Sequence, residues 1–185
     1  MADGTLKVGT ITTSSGSGTI TLGQSGETVV VPNGLLSGQN YPAFEAKRAS
    51  SDQSVSDNSY TKVQFNSEIF DTDSAYDSST NYRFTPQVAG KYFVYASVIG
   101  NSQASSNLQE IRIVIYKNGS FGRSTLTDCR DNYLRTKNQD VQAIIEMNGS
   151  TDYLEIYTRI NDTSGDPKVD YDSDGTYFGA YRIGA

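Results

Sequence analysis

The feature that most narrows the fold is the spacing of apolar side chains after residue 40, where they alternate with polar ones. Val63 and Phe65 flank Gln64, and Ile111, Ile113 and Ile115 keep the same period of two. Gly90 to Val98 reads Gly-Lys-Tyr-Phe-Val-Tyr-Ala-Ser-Val, rich in the β-branched and aromatic residues that suit a pleated surface. A period of two turns one strand face inward and the other outward, whereas an amphipathic helix needs a period near 3.6. No segment carries a convincing helical stripe. Asn118-Gly119 follows the isoleucine run and signals a tight hairpin. Val141 to Met147 fits helix or strand, and Asn148-Gly149 directly after it favours a second hairpin answered by Tyr153 to Tyr157. Tyr177 to Ile183 reads as the closing strand. About eight to ten strands are expected, forming an all-β sandwich.

Composition supports this and removes several kinds of chemistry. Of 185 residues, 23 are Ser and 18 are Thr, with 17 Gly, which suits short strands joined by polar turns. Thirteen Tyr and seven Phe are too much aromatic mass for a disordered chain. With no His, the Ser-His-Asp and Cys-His nucleophile systems and His-based zinc sites are excluded. Cys129 is the only cysteine, so no intrachain disulfide forms. A net charge of −6 leaves no basic stripe for a phosphate backbone, so no nucleic-acid partner is expected. No apolar run approaches the length of a membrane span, and MADGTLKVGT does not read as a signal peptide. Soluble assembly in a reducing cytoplasm, without membrane insertion, is the expectation.

A composition shift near residue 40 predicts two segments, 1–40 and 41–185. Asp3, Lys7 and Glu27 are the only charges in the first. That segment reads as short strands around Leu6–Val8, Thr19–Leu22 and Val29–Val31, with Ser/Gly turns between. So few aliphatic side chains cannot build their own core. Two readings fit: a flexible Ser/Gly leader, or a strand-rich stalk that buries Ile20, Leu22, Val29, Val30 and Val31 against sister chains or another protein. The β-branched residues at nearly every non-Gly position favour the stalk.

From Pro42 onward the order of signals resembles the C1q/TNF-like jelly roll. The residues that carry the resemblance are Pro42-Ala43-Phe44-Glu45-Ala46, Lys62 to Asn66, Tyr76-Asp77 and Tyr82-Arg83-Phe84-Thr85-Pro86. They continue with Ala89-Gly90-Lys91-Tyr92-Phe93, Tyr116-Lys117-Asn118-Gly119 and Tyr177-Phe178-Gly179-Ala180-Tyr181. Asn148 to Asp152 replaces the family's usual Gly-Asp turn. The resemblance implies a homotrimer whose threefold axis is lined by apolar and aromatic side chains, several of these Tyr among them. The first segment, with Gly-Thr-Leu-Lys-Val and Gly-Ser-Gly-Thr-Ile-Thr-Leu-Gly ahead of such a head, resembles structural proteins of tailed bacteriophages. That resemblance implies a virion protein of tail-fibre, whisker or decoration type, assembled in the host cytoplasm. Its N-terminal segment would bind another virion protein.

Candidate sites are few. Asp170, Asp172 and Asp174 before Gly175 follow the first half of an EF-hand loop. Tyr181 stands where the closing Glu is required, so an EF-hand is excluded; a looser Ca²⁺ site and a solvated acidic turn both remain open. Otherwise no cofactor is expected. Asp71, Asp73 and Asp77 form a second acidic cluster. Carboxylate pairs could hydrolyse a glycosidic bond, but no spacing raises one pair above another, and no enzyme is expected. For adhesion, the loop between Ile99 and Leu108 and the segment Phe121 to Lys137 are expected at the end remote from the N-terminal segment. Arg130, Tyr133 and Arg135 would meet an acidic host-surface glycan there, as planar guanidinium groups beside a ring suit a sugar carboxylate. The bland alternative pairs these charges with Asp128 and Asp131. At the level of function, the alternative to an adhesin is a capsid- or tail-decorating protein without a receptor.

Overall fold

The computed structural model describes residues 42–103, 107–163, 166–171 and 175–184. These are strands and turns, with no helix among them. The described residues form thirteen strands, and eight have five or more residues: β1 (Ala43–Lys47), β4 (Ser67–Asp71), β7 (Gly90–Asn101), β8 (Leu108–Lys117), β9 (Ser120–Asp128), β10 (Thr136–Met147), β11 (Leu154–Asp162) and β13 (Tyr177–Gly184). The other five are two-residue pairings, β2 (Gln53–Ser54), β3 (Thr61–Lys62), β5 (Tyr76–Asp77), β6 (Arg83–Phe84) and β12 (Lys168–Val169). The eight long strands fall within the expected eight to ten, and the two-residue pairings hold too few residues to display a period.

The strands form two antiparallel sheets. In the larger, β7 is central, with β10 on one side and β13, β1 and β4 in succession on the other. β12 and β2 extend that sheet beyond the end of β13. The smaller runs β5, β6, β11, β8, β9, with β3 also on β11. The chain changes sheet between β7 and β8, between β9 and β10, and between β10 and β11. This is a jelly-roll sandwich.

Asn118-Gly119 forms the expected hairpin between β8 and β9, with φ of 53° and 73°, the left-handed pair whose twist matches the strands. Asn148-Gly149 does not. β10 pairs with β7 and β11 with β8, so the connection is a corner between sheets. The Asn148 Oδ1 accepts the backbone N–H groups of Ser150, Thr151 and Asp152, each at 3.0 Å, which turns the chain without pairing the flanking strands. Phe121 to Lys137 is likewise not one loop. Ser120–Asp128 is strand and β10 begins at Thr136, leaving 129–135 as the connection. Its polar sequence hid the strand because β9 is an edge with most side chains in water.

Between the sheets lies a core assembled from both inner faces. Phe44 stacks on Tyr76 and Phe84 at 4.7 and 4.4 Å and meets Phe178 edge-on at 4.8 Å. Such ring pairs add to the area each ring buries. Around them pack Tyr92, Val94, Val98, Ile111, Ile113, Ile115, Leu154 and Ile156, all buried. Tyr76 and Tyr92 keep their hydroxyls satisfied on the carbonyls of Phe65 (2.9 Å) and Val88 (2.7 Å). Burial pushes the Tyr92 phenol up to about 12. Cys129 is buried, and burial raises its thiol pKa, as a thiol acting as a small hydrophobe requires. The open edge between β9 and β10 is closed by side chains. Thr127 donates to Gln139 at 2.6 Å, Gln139 donates to Thr125 at 2.8 Å, and Thr125 donates to the Asp140 carbonyl.

Candidate functional site

Alternation along the larger sheet sends a second set of side chains away from the core. In β7 these are Phe93, Tyr95, Ser97 and Ile99, and in β13 they are Tyr177, Gly179, Tyr181 and Ile183. Antiparallel register aligns them with β1 and β10 as rungs. Ala43, Tyr181, Phe93 and Ile144 make one, Glu45, Gly179, Tyr95 and Gln142 the next, and Lys47, Tyr177, Ser97 and Asp140 the third. Phe70 extends the middle rung beyond Glu45. The rung nearest Pro42 is apolar, and the face becomes more polar away from it.

The rings on this face touch in a chain. Phe93 lies 5.5 Å from Tyr181 and 6.0 Å from Tyr95, and Tyr95 lies 6.2 Å from Tyr177. Gly179 makes that arrangement possible, because a Cβ there would collide with the Tyr95 ring. With the position empty, Tyr95 lies across β13 and its hydroxyl donates to Glu45 Oε2 on β1 at 2.7 Å. Burial, then the Glu45 carboxylate, hold the Tyr95 phenol well above its ordinary range, so it remains a donor. Tyr181 itself is 46% exposed, and Ile144 (63%), Ile183 (46%) and Phe70 (45%) are exposed on the same sheet. Beside it, Tyr95, Tyr177, Asp140, Gln142 and Thr125 line a cavity of about 360 Å³. Exposed apolar and aromatic side chains gathered on one face are the chemistry that association uses.

The sequence-predicted contact residues lie elsewhere. Residues 129–135 sit at the end of the sandwich opposite Pro42 and Gly184, as the antiparallel register of β7, β10 and β13 requires. Arg130 donates to Asp128 Oδ2 at 2.7 Å and to Glu110 Oε2 at 3.0 Å. The Tyr133 hydroxyl accepts from Gln109 Nε2 at 3.3 Å. Arg135 takes part through its carbonyl, which accepts the Ser102 N–H at 2.9 Å and its hydroxyl at 3.1 Å. Arg130 is thus already paired with carboxylates, one of them Asp128, as the bland alternative expected. The Asp170 N–H donates to the Ile99 carbonyl at 2.9 Å, and its Oδ2 accepts Asn101 Nδ2 at 3.2 Å. Asp172 and Asp174 lie outside the described residues, as do Ile20, Leu22, Val29, Val30 and Val31. Among the described residues, no three acidic or thiol side chains gather to hold a metal.

A model of the TNF (Tumour Necrosis Factor) family matches residues 72–183, more than half of the chain. The chain belongs to the TNF family. Its sandwich is similar to that of Eiger TNF from S. frugiperda, at 11% identity and a TM-score of 0.59, over 77% of this chain and 92% of that one. It is similar to murine APRIL at pH 5.0, at 12% identity and a TM-score of 0.57, over 78% of this chain and all of the other. The globular domain of zebrafish complement 1qA gives 16% and 0.53, over 78% and 98%. At these identities the likeness is one of fold. No curated protein matches this TNF-family chain in sequence.

Tyr177 and Tyr181 belong to the aromatic residues for which the resemblance implies a place in the core or on a threefold axis, and Tyr95 does not. Glu45 and Gly179 lie in motifs that carry the resemblance but have no role assigned by it, and Phe70 and Ile144 lie outside it. The available signal was Gly179 inside an aromatic strand, since an interior Gly often marks close approach by another group.

Proposed function

We propose that this chain is a homotrimeric bacteriophage virion protein, joined to the particle by residues 1–40 and presenting the head, residues 41–185, to a host-surface glycan. The observation that carries the trimer is the outer face of the larger sheet, where Phe93, Tyr95, Tyr177 and Tyr181 form an ordered ring set around Gly179. A single protomer gains little from ordering exposed rings, whereas three copies around an axis bury them. TNF- and C1q-like proteins form homotrimers and bind partners, and both classes are represented among the similar folds. The virion assignment rests on the first segment, where Gly-Thr-Leu-Lys-Val and Gly-Ser-Gly-Thr-Ile-Thr-Leu-Gly ahead of such a head resemble phage structural proteins. In this reading the role is contact rather than catalysis, and the end bearing Arg130, Tyr133 and Arg135 faces outward.

Light scattering of the purified chain tests the assembly. A trimer of 20.1 kDa chains gives about 60 kDa at micromolar concentration. Replacing Phe93 and Tyr181 by Asp together is expected to yield a folded species of monomer mass. A wild-type mass near that of one chain overturns the reading.

A further inference from the structure

The smaller sheet carries its own set of rings on the face turned away from the core. Tyr116 lies 4.2 Å from Tyr157 and 5.7 Å from Phe121, and Tyr60 lies 5.7 Å from Phe121 and 6.5 Å from Tyr116. Val114 sits among them. It alternates away from the core and is no part of the core cluster, yet it is fully buried. Its cross-strand partner is Tyr157, one of these outer rings. The result is a floor that is dry beneath and wet above, with Phe121 48% and Tyr60 38% exposed. This face belongs to the other sheet from the one proposed for trimer contact.

Next to the floor stands an unbalanced charge group. Arg159 and Arg112 are direct cross-strand partners, an arrangement that like charges disfavour. Arg159 is compensated, since its guanidinium lies 5.6 Å from the Tyr60 ring centre and donates to Glu110. Glu110 is shared with Arg130. The Arg112 side chain has no hydrogen bond or ion pair among the described residues, and its Nε is buried without a partner. Arg159 Nε is in the same condition. Three guanidinium groups thus stand against two carboxylates, Glu110 and Asp128, in a protein whose net charge is −6. The site is one anion short.

We propose that this surface binds a carboxylated polysaccharide, with the sugar carboxylate on Arg112 and a pyranose face on Tyr60 and Phe121. The planar guanidinium fork matches a carboxylate in two parallel hydrogen bonds. A pyranose presents C–H groups on its face and hydroxyls at its rim, and the floor answers with ring faces and the phenol hydroxyls of Tyr60, Tyr116 and Tyr157. The proposal rests on the glycan-contact reading and extends its surface from Arg130 onto the smaller sheet. The bond is charge-assisted, so added salt weakens it.

Affinity electrophoresis and calorimetry of the full chain test this with three probes: polygalacturonate, heparin and dextran. Polygalacturonate is expected to bind, more tightly than heparin, and dextran not to bind. Arg112→Gln and Phe121→Ala are each expected to weaken polygalacturonate by about tenfold or more with an unchanged melting curve, and Arg112→Lys to recover only part. Lys168→Gln, remote from the floor, is expected to bind as wild type. Equal binding of dextran, or wild-type affinity in both Arg112→Gln and Phe121→Ala, overturns the proposal. Preference for heparin overturns the carboxylate assignment. A mass of about 60 kDa without polygalacturonate binding removes this site and leaves the trimer standing, whereas monomer mass with binding does the reverse.

Discussion

Asp77 and Asp152 hold their turns as charged acceptors. Asp77 takes the backbone N–H of Thr80 at 2.9 Å and of Ser79 at 3.0 Å, and the Asn81 side chain at 2.7 Å. Asp152 pairs with Lys117 and accepts Asn118 Nδ2 at 2.7 Å and the Asn148 N–H at 2.9 Å. These contacts lower both pKa values, for Asp77 chiefly through Thr80 and for Asp152 chiefly through Lys117. A carboxyl with a depressed folded pKa binds fewer protons folded than unfolded, so its contribution is complete above the unfolded value. It is lost as pH falls through the folded one. The melting temperature is therefore expected to be flat from about pH 5 to 8, where a chain without His has little to titrate, and to fall below about pH 4. Asp152→Asn should lower the plateau and flatten the acid limb. An unchanged acid limb, followed by circular dichroism, counts against this account.

Elements show how far local chemistry reaches. Gly149 sits at φ of 69° in the corner between β10 and β11, and a Cβ there would collide with the backbone of Val88 and Ala89. Gly149→Ala is expected to destabilise by about 1–3 kcal/mol, from strained φ and overpacking together. Urea titration checks it, and a loss below about 0.5 kcal/mol would show that the corner relaxes freely. Asn148-Gly149 and Asn118-Gly119 have nearly the same turn signature, yet one makes a corner and the other a hairpin. The difference is which sheet each flanking strand joins, and that depends on partners far away in sequence. In β10 the inward set Val141, Ala143, Ile145 and Met147 was legible as apolar, but only pairing with β7 decides its sheet.

At the scale of the molecule, the core of the described residues runs from Phe44 on β1 to Phe178 and Ala180 on β13. Deleting residues 1–40 is therefore expected to leave a head with a cooperative melt within a few degrees of the full chain. In the virion reading, the same truncation abolishes incorporation into particles, measured by immunoblot of purified phage. A truncated head that still incorporates would reassign the anchor. The all-β class, the Asn118-Gly119 hairpin and the opening and closing strands are local matters, since period, glycine placement and turn residues act within a few positions. The sequence by itself determined those, together with the absence of imidazole chemistry. Only the tertiary structure decided that Tyr95 reaches Glu45 over Gly179, and that Arg112 faces Arg159 beside the Tyr60 and Phe121 rings. Each of those meetings joins strands far apart in the chain, through a register that all the sheet's pairings fix together.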